Sequence, residues 1–348
     1  MIKWQGSLCS CKNDCYQLKL EAEMSDKMIT KKIWQEIKKA ESIVIFRHIK
    51  PDGDAYGAQM GLKELITFNF PTKKVYCAGE ISSHWSKIMG DTDTDLSDEI
   101  IKQSLVIILD VANKARIDDQ RFLFSSKIIK IDHHIFVEEF GGIEWVDTSS
   151  MATCEMITKM AFDNNAKIDS KAATNLYCGI VTDSGRFLFS NTTSQTLIYA
   201  AKLIDKGVDI NSLYSFIYEN TEKEVRFKGY CQLNYKTTEH GVAYMFITTE
   251  LRKQFNINEN YGAGSVNVLS NIEGVNIHVF FSEKEDGKVK VELRSKALPV
   301  NIIATKYGGG GHKLASGAIV PSWEVAEQLL KDLDDLCKES AEHYEALF

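Results

Sequence analysis

Short apolar runs alternate with longer segments of helical periodicity along the first half of the chain. The runs SIVIF, KKVYCAG, SLVIILD, KIIKID and IEWVD predict strands. The segments MITKKIWQEIKKA, AYGAQMGLKELITF, MATCEMITKMAFDN and SKAATNLYCGIVTD predict helices. SLVIILD is apolar up to its last residue, as expected for a strand that is covered on both faces. This alternation predicts an α/β fold with a parallel sheet.

The second half of the chain has a different pattern. Residues 192–234 are mostly helical in periodicity and predict a connector. After them, GVAYMFIT, VNIHVFFSE and KVKVELRS predict strands, and EDGK predicts a hairpin between the last two. NIIATKY and SWEVAEQLLKDLDDLCKE predict helices. We therefore expect an N-terminal extension (1–27), a catalytic α/β domain (28–191), the helical connector (192–234), a smaller α/β domain (235–338) and a tail (339–348), with the active site in the cleft between the domains.

Composition narrows the class of protein. A chain of 348 residues exceeds most single cores, which favours two domains. The net charge of −7 argues against a basic face for duplex DNA, although it permits a short nucleotide. No apolar run is long enough for a signal peptide or a membrane span, so we expect a cytoplasmic protein without a membrane partner.

The cysteines support the same compartment. Five of the eight lie in apolar segments, which predicts reduced cysteines in the core of a cytosolic protein. Cys9, Cys11 and Cys15 cluster near the start of the chain, but no fourth ligand follows at zinc-finger spacing. We interpret them as part of a loosely ordered extension.

Metal-ligand side chains follow several predicted strands. His48, Asp52 and Asp54 come directly after SIVIF, and Asp110 ends SLVIILD. His133 and His134 follow the strand KIIKID. Because the carboxyl ends of parallel strands meet at one edge of a sheet, these side chains are expected to converge there. A structural alternative exists for some of them, since Asp54 could cap the next helix and Asp110 could be a turn residue.

A further carboxylate, Asp183, ends a strongly apolar helix, where an acid has the unfavourable sign for the helix dipole. Together with Asp52, Asp54 and Asp110 it makes four carboxylates, whose convergence requires counter-ions. Two divalent cations would cancel this charge, and a carboxylate and imidazole ligand set suits Mn²⁺, with Mg²⁺ as the alternative. Two-metal sites of this kind hydrolyse phosphate esters by in-line attack of water.

The segment GGGGHKLASGA, residues 308–318, is the other unusual stretch. Glycines without side chains let successive backbone N–H groups approach an anion, and His312 can add a donor. The missing Lys-Ser/Thr pair argues against a P-loop. Arg294 and Ser295 lie at a predicted strand end, and arginine suits a bidentate grip on phosphate. A mobile loop and an ordinary surface arginine are the alternatives.

These motifs resemble a known family. HIKPDGD, the strand-ending Asp110, the DHH triplet at 132–134 and TDSG at 182–185 resemble the four motifs of the DHH phosphoesterase superfamily. GGGGHKLASG resembles the signature of the DHH-associated C-terminal domain. The resemblance covers roughly residues 28–338, and the five motifs occur in the family's order. The combination of the two domains resembles the nanoRNase and pAp phosphatase type of this family.

The resemblance implies a role for each motif residue. His48 and Asp52 would bind one metal ion, Asp54, His133 and Asp183 the other, and Asp110 would bridge them. His134 would act in catalysis beside Asp110, at the scissile phosphate or the leaving group. The residues expected to hold a substrate phosphate are Arg294, Ser295, Gly309, Gly310, Gly311 and His312. The family's usual cofactor is manganese.

The implied activity is hydrolysis of short oligoribonucleotides and the dinucleotide pApA to mononucleotides, and dephosphorylation of 3′-phosphoadenosine 5′-phosphate (pAp) to AMP. We expect such short RNA and pAp as partners, no duplex DNA, and a homodimer. An inorganic pyrophosphatase or polyphosphate hydrolase shares similar N-terminal motifs, but the glycine-run signature disfavours it. A non-catalytic nucleotide sensor is disfavoured because all the ligand residues are intact.

Overall fold

A computed structural model describes residues 25–257 and 265–345, with side chains up to residue 341. The chain forms two compact units that divide between Ile217 and Tyr218. Cys9, Cys11 and Cys15, most of the expected extension and the last residues of the expected tail lie outside the described residues.

The first unit contains five strands and the helices between and after them. The strands are β1 (Ser42–Phe46), β2 (Lys74–Cys77), β3 (Leu105–Leu109), β4 (Ile128–Asp132) and β5 (Ile143–Val146). The helices are α1 (25–39), α2 (Gly53–Asn69), α3 (Ser86–Met89), α4 (Asp98–Gln103), α5 (Thr153–Asp163), α6 (Ser170–Asp183), α7 (Ser194–Ile204) and α8 (Ile210–Tyr218). Two 3₁₀ turns, Lys114–Arg116 and Gln120–Phe124, lie between β3 and β4.

The five strands form one parallel sheet in the order β2-β1-β3-β4-β5. This confirms the predicted parallel α/β sheet and the predicted strands. All five residues of β3 are buried, as expected for a central strand whose faces are both covered. The carboxyl ends of β1, β3 and β4 therefore lie side by side at one edge of the sheet.

Helices α2 and α6 pack closely because both carry small residues at their contact. A Cβ atom added at Gly57 of α2 would lie 2.5 Å from the backbone oxygen of Asn175 in α6. One added at Gly61 would lie 2.8 Å from the Leu176 side chain. The glycines thus allow an approach that alanine would prevent, and this approach brings together two helices that carry site residues at their ends.

The second unit is a mixed α/β domain. Its strands are β6 (Lys236–Thr237), β7 (Val242–Ile247), β8 (Ile277–Glu283), β9 (Val289–Ser295), β10 (Gly310–His312) and β11 (Ala315–Val320). Its helices are α9 (Glu222–Asn234), α10 (Thr249–Gln254), α11 (Val300–Lys306) and α12 (Trp323–Glu345), with a 3₁₀ turn at Ser265–Leu269. The sheet order is β10-β11-β9-β8-β7-β6, and only β7 and β8 pair in parallel. The antiparallel β8–β9 pair is the predicted hairpin.

Part of the glycine run is a strand, which differs from the mobile loop that was its alternative interpretation. Gly310–His312 form the strand β10, which pairs with β11 through Gly310–Gly317 and His312–Ala315. Glycine is required for this pairing, because a Cβ atom at Gly311 would lie 2.7 Å from the Ala315 oxygen, and Gly311 has a φ of +135°. The sequence does not predict this strand, because glycines have no side chains and so cannot show the alternation of apolar and polar residues that is typical of a strand.

Two further sequence-based expectations can be compared with the fold. Cys77, Cys154, Cys178, Cys231 and Cys337, the five cysteines of apolar segments, are buried and free of disulfides. Among the described residues, no helix combines the length and the apolar character that crossing a bilayer would require.

Candidate metal centre

The candidate ligands of the first unit converge at the carboxyl edge of its sheet. His48 follows β1, Asp110 follows β3, and His133 follows β4. Asp54 lies in the first turn of α2, and Asp183 is the last residue of α6. The fold thus delivers donors from five segments of the chain to one place.

Three overlapping groups of donor atoms form within this cluster, and the donor atoms of each group lie within 4.8 Å of one another. The first is His48, Asp52 and Asp110, the second is Asp54, His133 and Asp183, and the third is Asp110, His133 and His134. Asp110 contacts members of all three, since its Oδ2 lies 3.5 Å from His48 Nε2 and its Oδ1 lies 3.3 Å from His133 Nε2. His133 Nε2 also lies 3.4 Å from Asp183 Oδ2 and 3.9 Å from Asp54 Oδ2. The arrangement has the form of two adjacent cation sites with Asp110 between them.

Local hydrogen bonds orient the first group. His48 Nδ1 lies 2.7 Å from the Ile49 carbonyl oxygen, so this nitrogen carries the proton and Nε2 is left to act as a ligand. Asp52 caps α2 by accepting bonds from the N–H groups of Asp54 and Ala55 through Oδ1. The capping residue is therefore Asp52, and the structural alternative in which Asp54 caps the helix is wrong. Asp52 Oδ2 remains directed towards His48 Nε2, 3.8 Å away.

Asp54 is held by a helix that the sequence analysis did not connect with the site. Its Oδ2 accepts a bond of 2.7 Å from the Thr153 N–H, and its Oδ1 accepts one of 2.9 Å from the Cys154 N–H. Both N–H groups belong to the first turn of α5, whose dipole favours an anion. The start of α5 was visible in the sequence, but nothing there indicated which carboxylate it would receive.

Asp110 occupies a strained position. Its φ is +58°, a left-handed conformation that non-glycine residues rarely adopt and that clusters at functional sites. Its side chain is 2% exposed, and Oδ1 accepts a bond of 3.2 Å from the Thr153 hydroxyl. Thr153 therefore contacts two of the central carboxylates and is a site residue that sequence reasoning missed.

The pKa values show the electrostatic conflict in this cluster. Burial and the neighbouring Asp110 raise the pKa of Asp54 to about 7. Burial and Asp54 likewise raise the pKa of Asp183 well above its usual value. Burial opposes ionisation of Asp110 too, but hydrogen bonds from His133 and His48 outweigh it and lower the Asp110 pKa. Burial lowers the pKa of His48, yet its bonds to Asp110 and Asp52 raise it to about 10.

This conflict fits the binding of divalent cations. Within the described part of the chain, the ion-pair partners of Asp52, Asp54, Asp110 and Asp183 are histidines, and no lysine or arginine pairs with them. Burial and neighbouring carboxylates raise the pKa values of Asp54 and Asp183. Burial lowers the pKa values of His48 and His133, but neighbouring carboxylates outweigh it and raise them. Carboxylate and imidazole donors suit hard or borderline divalent metals, so the residues present fit two such ions.

His134 contacts the cluster through Asp110 and is also held by a second carboxylate, Asp132. Its Nδ1 lies 2.8 Å from Asp132 Oδ1 and 3.5 Å from Asp110 Oδ1. Asp132 Oδ2 in turn lies 3.2 Å from Lys130 Nζ, and both residues are 0% exposed. The Lys130 ammonium also lies 4.2 Å from the centre of the Phe140 ring. Lys130 and Asp132, which the sequence-based site omitted, hold the ring of His134 at the edge of the cluster.

The candidate phosphate-binding residues of the second unit lie together on its sheet. Arg294 is cross-strand from Ala315, which pairs with His312, so β9, β11 and β10 present the three on one face. Burial lowers the pKa of Arg294, and its Nη1 donates to the Leu293 oxygen at 2.8 Å. Ser295 has a local role, since its hydroxyl accepts bonds from the N–H groups of Ala297 and Leu298.

The glycines of the run have different surroundings. Gly310 has open space where a side chain would point, whereas a Cβ atom at Gly309 would lie 2.7 Å from the Ala318 Cα. His312 is exposed. β10 is an edge strand of the described sheet, so the backbone N–H and C=O groups on its outer side pair with no further strand of that sheet. This geometry permits contact with an anion at β10.

Comparison with known proteins agrees with the two units. Residues 42–180 match the N-terminal domain of the DHH family, and residues 240–339 match the DHHA1 domain. The bifunctional oligoribonuclease and PAP phosphatase NrnA of Bacillus subtilis (strain 168) is 39% identical over 302 residues, which are 86% of this chain and 96% of that protein. The probable bifunctional oligoribonuclease and PAP phosphatase NrnA of Streptococcus mutans is 38% identical over 310 residues, 88% of this chain and 99% of that protein.

A solved structure extends the similarity to the fold. The crystal structure of an exopolyphosphatase-related protein from Bacteroides fragilis has a TM-score of 0.79 and 25% identity, and the match covers 89% of this chain and 98% of that one. The matches to both domains, at high coverage and identity, agree with the resemblance of the motifs. The chain therefore belongs to the DHH family of phosphoesterases and carries a DHHA1 domain after its DHH domain.

Proposed function

We propose that this chain is a two-metal phosphoesterase that hydrolyses short oligoribonucleotides, including pApA, to mononucleotides and dephosphorylates pAp to AMP. The observation that carries the proposal is the adjacency of two donor groups, one containing Asp110 and the other containing His133, whose Nε2 lies 3.3 Å from Asp110 Oδ1. The relatives from Bacillus subtilis and Streptococcus mutans, whose names give both activities, are 38–39% identical over most of their length and so support this substrate class.

The proposed ligand assignment follows the first two donor groups. His48 and Asp52 would hold one ion, and Asp54, His133 and Asp183 the other. Asp110, which lies beside both His48 and His133, would bind both ions. Enzymes of this family depend on metal ions, and we propose Mn²⁺ as the ion because the mixed carboxylate and imidazole set suits it better than Mg²⁺. When bound, such ions polarise the scissile phosphate and supply a water nucleophile at neutral pH.

The protein's own residues position the reaction. Thr153 and the N-terminus of α5 keep the carboxylates of Asp54 and Asp110 in place, so little reorganisation is needed when a phosphate binds. Nδ1 of His134 contacts the Asp132 carboxylate, so the other ring nitrogen, Nε2, points away from Asp132. In its imidazolium form, with both ring nitrogens protonated, His134 can donate a hydrogen bond to a phosphate oxygen, or a proton to the leaving oxygen, through Nε2.

The second unit would recognise the substrate. We propose that Arg294, Ser295, His312 and the backbone of Gly309–Gly311 hold a phosphate that is not the scissile one. The common face of Arg294 and His312 on neighbouring strands and the exposure of His312 support this role. An arginine whose guanidinium is largely desolvated binds phosphate more strongly than a fully hydrated one.

The test is a substrate panel with one active-site variant. Wild-type protein with Mn²⁺ should release AMP from pApA and pAp and shorten RNA of a few nucleotides, and chelator should abolish this. Asp110→Asn should lower kcat by at least about 10³-fold, because both cation sites lose a charged shared ligand. The exposed Asp91→Asn should behave as wild type.

Two results would contradict the proposal. Turnover of pyrophosphate but of neither pApA nor pAp would assign the chain to the pyrophosphatase alternative. Binding of these nucleotides without any turnover, in the presence of Mn²⁺, would favour the sensor.

A further inference from the structure

An unusual turn follows the candidate ligand Asp183. Gly185, Arg186 and Phe187 have φ values of +53°, +64° and +65°, so three consecutive residues are left-handed. Arginine and phenylalanine each adopt this conformation at a cost of about 1–2 kcal/mol. Such strain persists only where the surrounding structure enforces it, and it is concentrated at functional sites.

Ser184 enforces the turn. Its side chain is 0% exposed, and its hydroxyl accepts a bond of 2.9 Å from the Phe187 N–H. Its carbonyl oxygen accepts bonds from the N–H groups of Leu188 and Phe189, at 3.0 and 3.1 Å. The chain is therefore rigidly folded back over the end of α6, directly beside Asp183.

The result of this turn is the placement of one aromatic ring. The Phe189 ring lies over Gly185, where an added Cβ atom would be 2.5 Å from its Cε1. Only a glycine, which has no side chain and tolerates the positive φ, lets the Phe189 ring pack on residue 185. This residue lies two positions after Asp183 in the sequence. Phe189 nevertheless keeps 51% of its surface exposed.

Apart from its contact with Gly185, this ring has few partners. In the ranges 25–257 and 265–345, no aromatic side chain is stacked on Phe189, and about half of its surface is open to solvent. Phe189 is exposed and is positioned by a strained turn. It therefore presents a flat apolar face to solvent and adds little to the hydrophobic core. The same edge of the sheet exposes Phe136, 54% of whose surface is accessible, three residues after His133.

We propose that Phe189 is the stacking platform for a nucleobase of the substrate, on the nucleotide whose phosphate lies at the metal centre. The inference rests on the proposed function and adds a determinant of substrate choice to it. The chain has a net charge of −7, and its proposed phosphate contacts are metal ions and a few basic groups, so base stacking is a source of affinity that its charge does not oppose. Stacking tolerates any base but requires one, which separates nucleotides from pyrophosphate and polyphosphate.

The test compares Phe189→Leu, Phe189→Tyr and a matched control. Phe68→Leu is the control, because Phe68 is 49% exposed but lies near the far end of α2 from Asp54, roughly 20 Å away. Phe189→Leu should raise KM for pApA about tenfold or more, while Phe189→Tyr and Phe68→Leu should stay within about twofold of wild type. Mn²⁺ binding, measured by calorimetry, should be the same in all four proteins.

A second substrate distinguishes stacking from a general disturbance of the site. The dinucleotide is made in two further forms, each lacking one base. With the form that lacks the stacked base, wild type should already show the raised KM, and Phe189→Leu should add no further penalty. An equal penalty on both abasic forms and on pApA, or an unchanged KM for pApA, would overturn the stacking role while leaving the proposed function intact. If wild type fails to cleave pApA, both proposals fall.

Discussion

Two buried carboxylates of this protein have opposite pKa shifts because their neighbours differ. Burial and the Asp110 carboxylate raise the pKa of Asp54 to about 7, whereas at Asp110 the hydrogen bonds from two imidazoles outweigh burial and lower the pKa. The same desolvation therefore leads to proton binding in one case and to a stable anion in the other. Asp110 is the member of the cluster that is best prepared to receive cations.

A histidine of the second unit leads to a prediction of pH-dependent stability. His278 on β8 is cross-strand from Arg294 and is 6% exposed. Burial, together with the charges of Arg294 and Lys296, lowers its pKa from 6.5 to about 4. A neutral buried histidine contributes stability above pH 6.5 and loses it as the pH falls towards 4, because only the unfolded chain binds the proton in that window.

We therefore expect His278 to account for about 2 kcal/mol of the loss in unfolding free energy between pH 7 and pH 5. Urea unfolding of wild type and His278→Gln at both pH values measures it. The variant should show a shallower decrease than wild type. Identical slopes would mean that His278 is protonated in the folded chain at pH 5.

At the scale of elements, the contact of α2 with α6 is the part of the fold on which the site depends most. α2 carries Asp54 in its first turn and α6 carries Asp183 at its end, so the distance between the helices determines whether the two carboxylates can share a cation. Gly57 of α2 lies against the backbone of Asn175, and a backbone neighbour cannot move aside as a flexible side chain could. A methyl group added at Gly57 should therefore push the two helices apart and change the distance between Asp54 and Asp183.

Gly57→Ala should lower the unfolding free energy by about 2–3 kcal/mol, because the helices must separate to admit the methyl group. It should also weaken Mn²⁺ binding. Gly229→Ala is the matched helical control, since Gly229 of α9 has nothing within 4 Å of an added Cβ atom. That variant should gain about 0.5–1 kcal/mol from the better helix propensity of alanine. Urea unfolding and Mn²⁺ titration measure both effects, and equal stabilities would refute the tight contact.

At the scale of the whole molecule, the two units are expected to respond differently to metal. The candidate ligands all belong to the first unit, and the described residues of the second unit contain no group of three or more candidate metal ligands. Ions that bind the folded chain stabilise it by mass action, by about 2.7 kcal/mol at a hundred times the dissociation constant. Because Asp54 binds a proton with a pKa of about 7, this gain should be smaller at pH 6 than at pH 8.

Hydrogen exchange with and without Mn²⁺ tests this expectation. Protection should increase in peptides around β1, the ends of β3 and β4, the start of α5 and the end of α6, and should not change in α12. Asp110→Asn should lose most of the protection. An increase in the second unit of equal size would contradict the assignment of both ions to the first.

Much of this architecture follows from local sequence pattern. β3 and β4 are apolar runs ended by Asp110 and the His133–His134 pair, and parallel strands necessarily bring such ends to one edge. The donor types, their order along the chain and their position after strands could thus be predicted without coordinates. The glycine run could not, because β10 exists only through its pairing with β11 and has no apolar alternation of its own.

The amino-acid sequence by itself determined the chemistry of the donors and the strand ends that present them. Only the tertiary structure decided which atoms of distant segments meet: that α5, some 100 residues after Asp54, receives the Asp54 carboxylate, and that the Thr153 hydroxyl of the same helix reaches Asp110. The physical reason is that strands and helices are selected by neighbours along the chain, whereas the partner of a buried charge is selected by packing between distant segments.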